Sequence, residues 1–243
     1  NVVTNAYPIM KQYNAKGCFF LVSSLIEGNE PLWTDHIENV IRNSKKGIFQ
    51  FEFQGEKITY ELNTEQSYQK TMKDIKRKLK TVSYKDRKEH LKQFGTMTIE
   101  HIPKEFMFAN WDEIQSLDPT ILEVGSHTTN HPNCTTMISD DEFTQEMRES
   151  KVKIEQMVGY TINHFCYPAG SYNDEVIKNL KKYEYKSAVT IDYGINDRNT
   201  DVYKLKRILV TENFLSFKAD ISGSLIFFYR LKNYFRKRKK RSH

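Results

Sequence analysis

Apolar residues along this chain change their spacing several times, and each change predicts an element. Ala6, Ile9, Met10 and Tyr13 recur at helical intervals, with Pro8 in the first turns where proline is tolerated, so residues 4–14 predict a helix ended by Gly17. Cys18 to Val22 is an unbroken apolar run of strand length, the pattern of a fully buried strand. A helix is expected at 33–43. From Ile48 to Leu62 the pattern alternates, with Phe49, Phe51 and Phe53 on one face and Ile58, Tyr60 and Leu62 returning after Gln54-Gly55-Glu56, which predicts a β-hairpin. Charged helices are expected at about 64–80 and 84–94.

Asn110-Trp111-Asp112-Glu113 and Ser139-Asp140-Asp141-Glu142 each place a capping side chain three residues before an acid. They predict a short helix to about Leu117 and a long one ending at Gly159. Strands are expected at 121–125, 162–167, 187–191 and near 206–210, with a helix at about 173–182 between them. Strand, loop and helix repeat over about 25–40 residues, the signature of a parallel α/β sheet or barrel. A last helix is expected from Phe214 to about Phe235, with Phe217, Ile221, Leu225, Phe228 and Leu231 on one side.

Candidate chemistry concentrates directly after the strand at 121–125. Gly125-Ser126-His127-Thr128-Thr129-Asn130-His131 places two imidazoles four residues apart, and neutral imidazole is the commonest protein ligand for zinc-like metals. Pro132 disfavours helical angles at His131, so the pair is expected on a strand-end loop.

The net charge of +6 belongs to one end of the 243-residue chain: eight of its 37 Lys and Arg residues lie between Arg230 and Arg241, leaving 29 against 31 acidic residues. That distribution argues against a nucleic-acid-binding face across the domain. It leaves residues 230–241 as a basic element able to touch an anionic membrane or polymer surface, or simply to fray into solvent. Cys18, Cys134 and Cys166 are odd in number and lack Cys-x-x-Cys spacing, which argues against a disulfide framework or thiolate zinc site and fits a reducing compartment. A cytoplasmic or membrane-peripheral location is expected. Asn1-Val2-Val3-Thr4 contains neither an initiator Met nor a signal-peptide apolar region, so the chain reads as a processed product or an excerpt.

Four stretches in order resemble the polysaccharide deacetylase family (carbohydrate esterase family 4, the NodB homology domain). They are Asn5-Ala6-Tyr7-Pro8-Ile9-Met10 with Gly17-Cys18-Phe19-Phe20-Leu21-Val22; Phe108-Ala109-Asn110-Trp111-Asp112-Glu113-Ile114; Gly125-Ser126-His127-Thr128-Thr129-Asn130-His131-Pro132; and Phe165-Cys166-Tyr167-Pro168-Ala169-Gly170. The third is similar to the family's specific His-(Ser/Thr)-x-x-His metal motif. The resemblance implies a distorted (β/α) barrel over 1–212, with an inserted hairpin and helical segment at 30–100, followed by a basic helix and tail at 213–243.

It also implies a hydrolase that removes acetyl groups from N-acetylated sugars of a polysaccharide or glycolipid. His127 and His131 would hold a divalent metal, Zn²⁺ before Co²⁺ or another ion, and the backbone N–H of Ala169 would donate to the oxyanion. Tyr167, Pro168, Gly170, Tyr172 and Trp111 would line the glycan groove, and Ser126 and Thr128 would orient the imidazoles. The family's Phe-Asp-Asp-Gly motif, source of the catalytic base and third ligand, is expected before Asn5, where this chain does not contain it. The chain alone is therefore expected to be inactive. Cys166 occupies the place of an arginine found in many members, and His164 and His101 are the stand-ins for an absent late histidine motif. Two other readings are a non-catalytic glycan-binding relative and a surface-associated protein acting through the basic tail.

Overall fold

The computed structural model describes residues 2–26, 31–95, 108–210 and 213–223. The chain divides into two compact units, Asn1–Lys186 and Ser187–His243. His101, the basic residues 230–241 and the expected helix beyond 223 lie outside the described residues.

In the first unit three strands lie parallel in the order β1 (Gly17–Leu21), β4 (Leu122–Ser126) and β5 (His164–Cys166). β4 is the buried middle strand. β1 pairs with β4 in register from Gly17 opposite Leu122 to Leu21 opposite Ser126. Only Leu21 of β1 is buried, so its apolar run is half-covered rather than fully buried as expected. The reason is its position: within this unit it has a strand neighbour on one side only. β5 is shorter than its apolar run predicts, because Tyr167 already turns into the Pro168–Gly170 loop.

The amino-terminal helix α1 (Tyr7–Gln12) follows a wide turn over Val2–Ala6 and ends before Asn14, which adopts a left-handed φ of 48°. Its expected apolar face is not covered: Ile9 and Tyr13 are exposed, while Met10 lies against Gly17 and the Tyr7 hydroxyl accepts the Asp118 N–H at 2.9 Å.

Residues 33–94 form a layer with its own core. It contains α2 (Trp33–Arg42), the antiparallel hairpin β2 (Gly47–Phe53) and β3 (Glu56–Leu62), α3 (Glu65–Leu79), α4 (Tyr84–Leu91) and a short 3-10 turn to Phe94. Trp33, Ile37, Ile41, Phe51, Leu62, Met72, Ile75, Leu79 and Phe94 pack together there. The alternation read in the hairpin is kept, with Phe51 buried and Ile48 outward.

Both capping boxes form. Asn110 caps α5 (Trp111–Gln115) with Glu113, and Ser139 caps α6 (Asp140–Phe143) with Glu142. α6 runs through a π-helical turn, Thr144–Arg148, into α7 (Glu149–Val158), which ends at left-handed Gly159. α8 (Asp174–Lys182) follows β5.

The second unit contains β6 (Ser187–Tyr193), parallel to a short β7 (Leu205–Arg207), and α9 (Phe214–Ile221). β7 starts one residue before the strand expected near 206 and ends at Arg207. α9 ends at Ile221, and Gly223 beyond it takes a φ of 73°, the left-handed conformation that closes helices. Among the described residues no helix is long and apolar enough to cross a membrane.

Candidate metal and glycan site

β4 delivers its last residue, Ser126, into the sheet interior and releases the chain as a loop at its carboxyl end, where α/β folds place ligands. Backbone bonds join that loop to the end of β1: His127 N–H donates to the Leu21 carbonyl at 2.8 Å, and Ser23 N–H donates to that of Thr128 at 3.1 Å. The two imidazoles meet edge to face, with ring centroids 4.8 Å apart. The loop is not extended at its second histidine. Thr128 and His131 take left-handed φ values of 70° and 54°, a conformation costing about 1–3 kcal/mol at non-glycine residues and kept only where surroundings enforce it.

Those surroundings come from the loop's own hydroxyls and from side chains far away in sequence. Thr128 Oγ1 donates to the His127 carbonyl and accepts the His131 N–H at 2.9 Å. Ser126 Oγ pairs with Ser150 Oγ on α7 at 2.9 Å and accepts the Thr128 N–H. These two hydroxyls thus hold the loop backbone, and through it the rings. Glu146, on the π-helical turn, accepts from Thr129 N–H at 3.1 Å, Asn130 N–H at 2.8 Å and Asn130 Nδ2 at 2.8 Å. Burial raises its pKa above the ordinary carboxylate range, against the hydrogen bonds from Asn130 and the charge of Arg87. From the other side Arg87 of α4 donates to the Asn130 and His131 carbonyls, each at 3.0 Å.

The pair suits a metal on the chemistry of its nitrogens. His127 Nδ1 lies 2.7 Å from the Cys166 carbonyl, which can only accept, so Nδ1 carries the proton and Nε2 the lone pair in the neutral ring. His131 Nδ1 is buried with no hydrogen-bond partner, an expensive state for an imidazole nitrogen unless an ion satisfies the site. Burial, with the neighbouring His127, Arg87 and Lys80, depresses the His131 pKa to about 3, so the ring is neutral and ligand-competent at ordinary pH. Among the described residues no third His, Cys, Asp or Glu completes a cluster.

The remaining predicted residues divide between interior and surface. Trp111 is 2% exposed, with Lys153 above its ring at 5.8 Å, and Tyr167 is 1% exposed against Phe165. Pro168 is buried as well. These three lie in the interior, whereas Tyr172, stacked on Tyr167 at a centroid distance of 5.0 Å, is half-buried and accessible along with Ala169 and Gly170. Ala169 has a left-handed φ of 52°, which turns the chain sharply after β5. His164 on β5 faces Glu123 of β4 at 3.4 Å. Cys166 acts on His127 through its carbonyl, and Cys18, Cys134 and Cys166 form no disulfide.

Arg87 and Glu146 were not found from the sequence. Each stands among other charged residues on its helix, and spacing alone does not separate a buried charge from a solvated one.

Comparison with known proteins bears on the same elements. The polysaccharide deacetylase profile matches residues 1–188. The polysaccharide deacetylase homologue YxkH of Bacillus subtilis (strain 168) is 27% identical over 135 residues, 54% of this chain and 48% of its own length. The chain thus spans about half the length of that curated relative. Among solved structures, IcaB from Ammonifex degensii aligns over 90% of this chain and 66% of its own, with a TM-score of 0.52 and 13% identity, a likeness of fold alone. The Streptococcus pyogenes deacetylase PplD, solved with acetate, aligns over 45% of this chain and 48% of its own, with a TM-score of 0.42 and 25% identity. With that profile running from α1 through the histidine loop and β5 to residue 188, the chain belongs to the polysaccharide deacetylase family.

Proposed function

We propose that this chain supplies the metal pair and groove wall of a metal-dependent sugar N-deacetylase acting on a polysaccharide or glycolipid. The observation that carries the reading is the edge-to-face histidine pair at the end of β4, with His127 oriented by a carbonyl and His131 left with a buried, unpartnered nitrogen. His127 and His131 would hold the ion, Zn²⁺ or Co²⁺, with carboxylates outside the described residues as third ligand and base. A bound ion of this kind polarises an acetyl carbonyl and lowers the pKa of its water to about 7. The chain's own residues do the rest. The Cys166 carbonyl fixes the His127 tautomer, and the Ala169 N–H donates to the developing oxyanion. Tyr172 with Gly170 offers a sugar-facing edge. Burial of Tyr167 and Pro168 behind them keeps that edge rigid.

A glycan-binding role without cleavage is the second reading, favoured by the absence of a third ligand among the described residues. One experiment separates the two. The full-length protein that carries this chain is assayed for bound metal and for acetate released from N-acetylglucosamine oligomers. The enzyme reading expects about one metal per chain and acetate release, both lost in His127→Ala and His131→Ala. Glycan binding with no metal and no acetate would establish the second reading instead.

A further inference from the structure

We propose that Arg87 is a positioning residue for the metal pair, through which the layer at 33–94 sets the place of His131. This inference rests on reading His127 and His131 as metal ligands. The guanidinium is 2% exposed and lies across two successive carbonyls of the loop, those of Asn130 and His131, at 3.0 Å each. Its faces are covered by Trp33 of α2, 4.7 Å from ring centroid to Cζ, and by Tyr84, 5.6 Å away. A planar fork that donates in parallel and stacks on aromatics is a property of arginine that lysine lacks. A second tie runs the same way: Asn133 Nδ2 donates to the Lys80 carbonyl at 2.9 Å.

The reason for such a clamp lies in the backbone of His131. Its φ of 54° is unfavourable for a side chain larger than glycine, and Pro132 follows it. The peptide groups on both sides of that residue are held, the N–H by Thr128 Oγ1 and the carbonyl by Arg87. Releasing the carbonyl frees the residue to relax, which carries the imidazole away from His127. Glu146, bonded to the same loop from below, supplies the opposite charge that makes a buried guanidinium tolerable. The layer at 33–94 has its own packed core, so the clamp is anchored on a body of its own rather than on the loop.

The test uses the 243-residue chain with Arg87→Ala and Arg87→Lys. Amide hydrogen exchange of the peptide covering 125–133 is followed without metal, and Co²⁺ binding is followed by its visible absorption. Exchange in the loop should rise by about 10–100-fold, and Co²⁺ affinity should fall by about 10–100-fold, the usual effect of losing a ligand-orienting partner. Lysine should fail to restore either, and millimolar methylguanidinium should restore both in Arg87→Ala. Unchanged loop exchange overturns the proposal. So does loss of protection throughout β4 and β5 without methylguanidinium rescue, because Arg87 would then be holding the fold and not the loop. If the unaltered chain takes no Co²⁺, the metal reading fails, while the exchange arm still decides whether Arg87 holds His131.

Discussion

Replacing Glu146 should cost the loop its lower support, and the structure gives a magnitude. Its carboxylate accepts three hydrogen bonds, but Thr129 N–H also reaches the Glu146 backbone carbonyl at 3.1 Å and keeps that partner in any variant. Glu146→Ala therefore strands two donors, Asn130 N–H and Asn130 Nδ2, and removes the negative charge that Glu146 sets against Arg87. At about 1–3 kcal/mol for each stranded donor, with some water entering the space left behind, the loss should be about 3–4 kcal/mol. For a domain of this size that lowers Tm by about 6–16 °C. Glu146→Gln keeps the shape: its oxygen can serve both backbone N–H groups, and Asn130 can turn its own amide to meet the new NH₂. The expected loss is about 1–2 kcal/mol, mostly the removed charge. Urea titration and thermal melts followed by circular dichroism measure both variants. Equal losses for alanine and glutamine, or a change below about 0.5 kcal/mol for alanine, would refute the assignment of Glu146 as the loop's support.

Two further outcomes follow from the same geometry. His131 is a base whose folded pKa is depressed to about 3 from an ordinary 6.5, so the unfolded chain binds the extra proton first. Metal-free stability should therefore be intact above pH 6.5 and decline as pH falls toward 3, by about 4 kcal/mol at the lower end. Denaturant titrations across that range should be flatter for His131→Asn, which tolerates the left-handed backbone; identical slopes would exclude a buried neutral imidazole. Gly125→Ala should destabilise by about 1–3 kcal/mol in thermal melts. A Cβ there would lie 2.6 Å from the Phe20 ring and 2.9 Å from the His164 carbonyl, and the carbonyl is strand backbone that cannot swing aside. A neutral effect on Tm would show that β1, β4 and β5 do not pack as closely as described.

The sequence by itself determined the elements and the location of the chemistry. Period-2 and period-3.6 patterns gave the hairpin and most helices, because the side-chain direction along a strand or helix is a local property. The capping residues Asn110 and Ser139 bond three residues ahead, so they too are readable in order. The His127–His131 spacing pointed to the end of β4 as the candidate site, and the structure brings the two rings together there.

What tertiary structure decided is whatever depends on a partner distant in the chain. That Trp111 and Tyr167 are buried is one such feature, since an aromatic's preference for burial and for a sugar face leave the same letter in the sequence. Ile9 and Tyr13 sit at helical spacing yet stay exposed, because the six-residue α1 covers only part of its face. The His131 backbone is left-handed rather than merely non-helical, since Pro132 only disfavours one region while Thr128 and Arg87 select another. Arg87 and Glu146 lie 44 and 15 residues from His131 in opposite directions, and only packing of the 33–94 layer and the π-helical turn around one loop brings their charges to it. Spacing along a chain records local geometry; a buried charge is explained only by the group it faces.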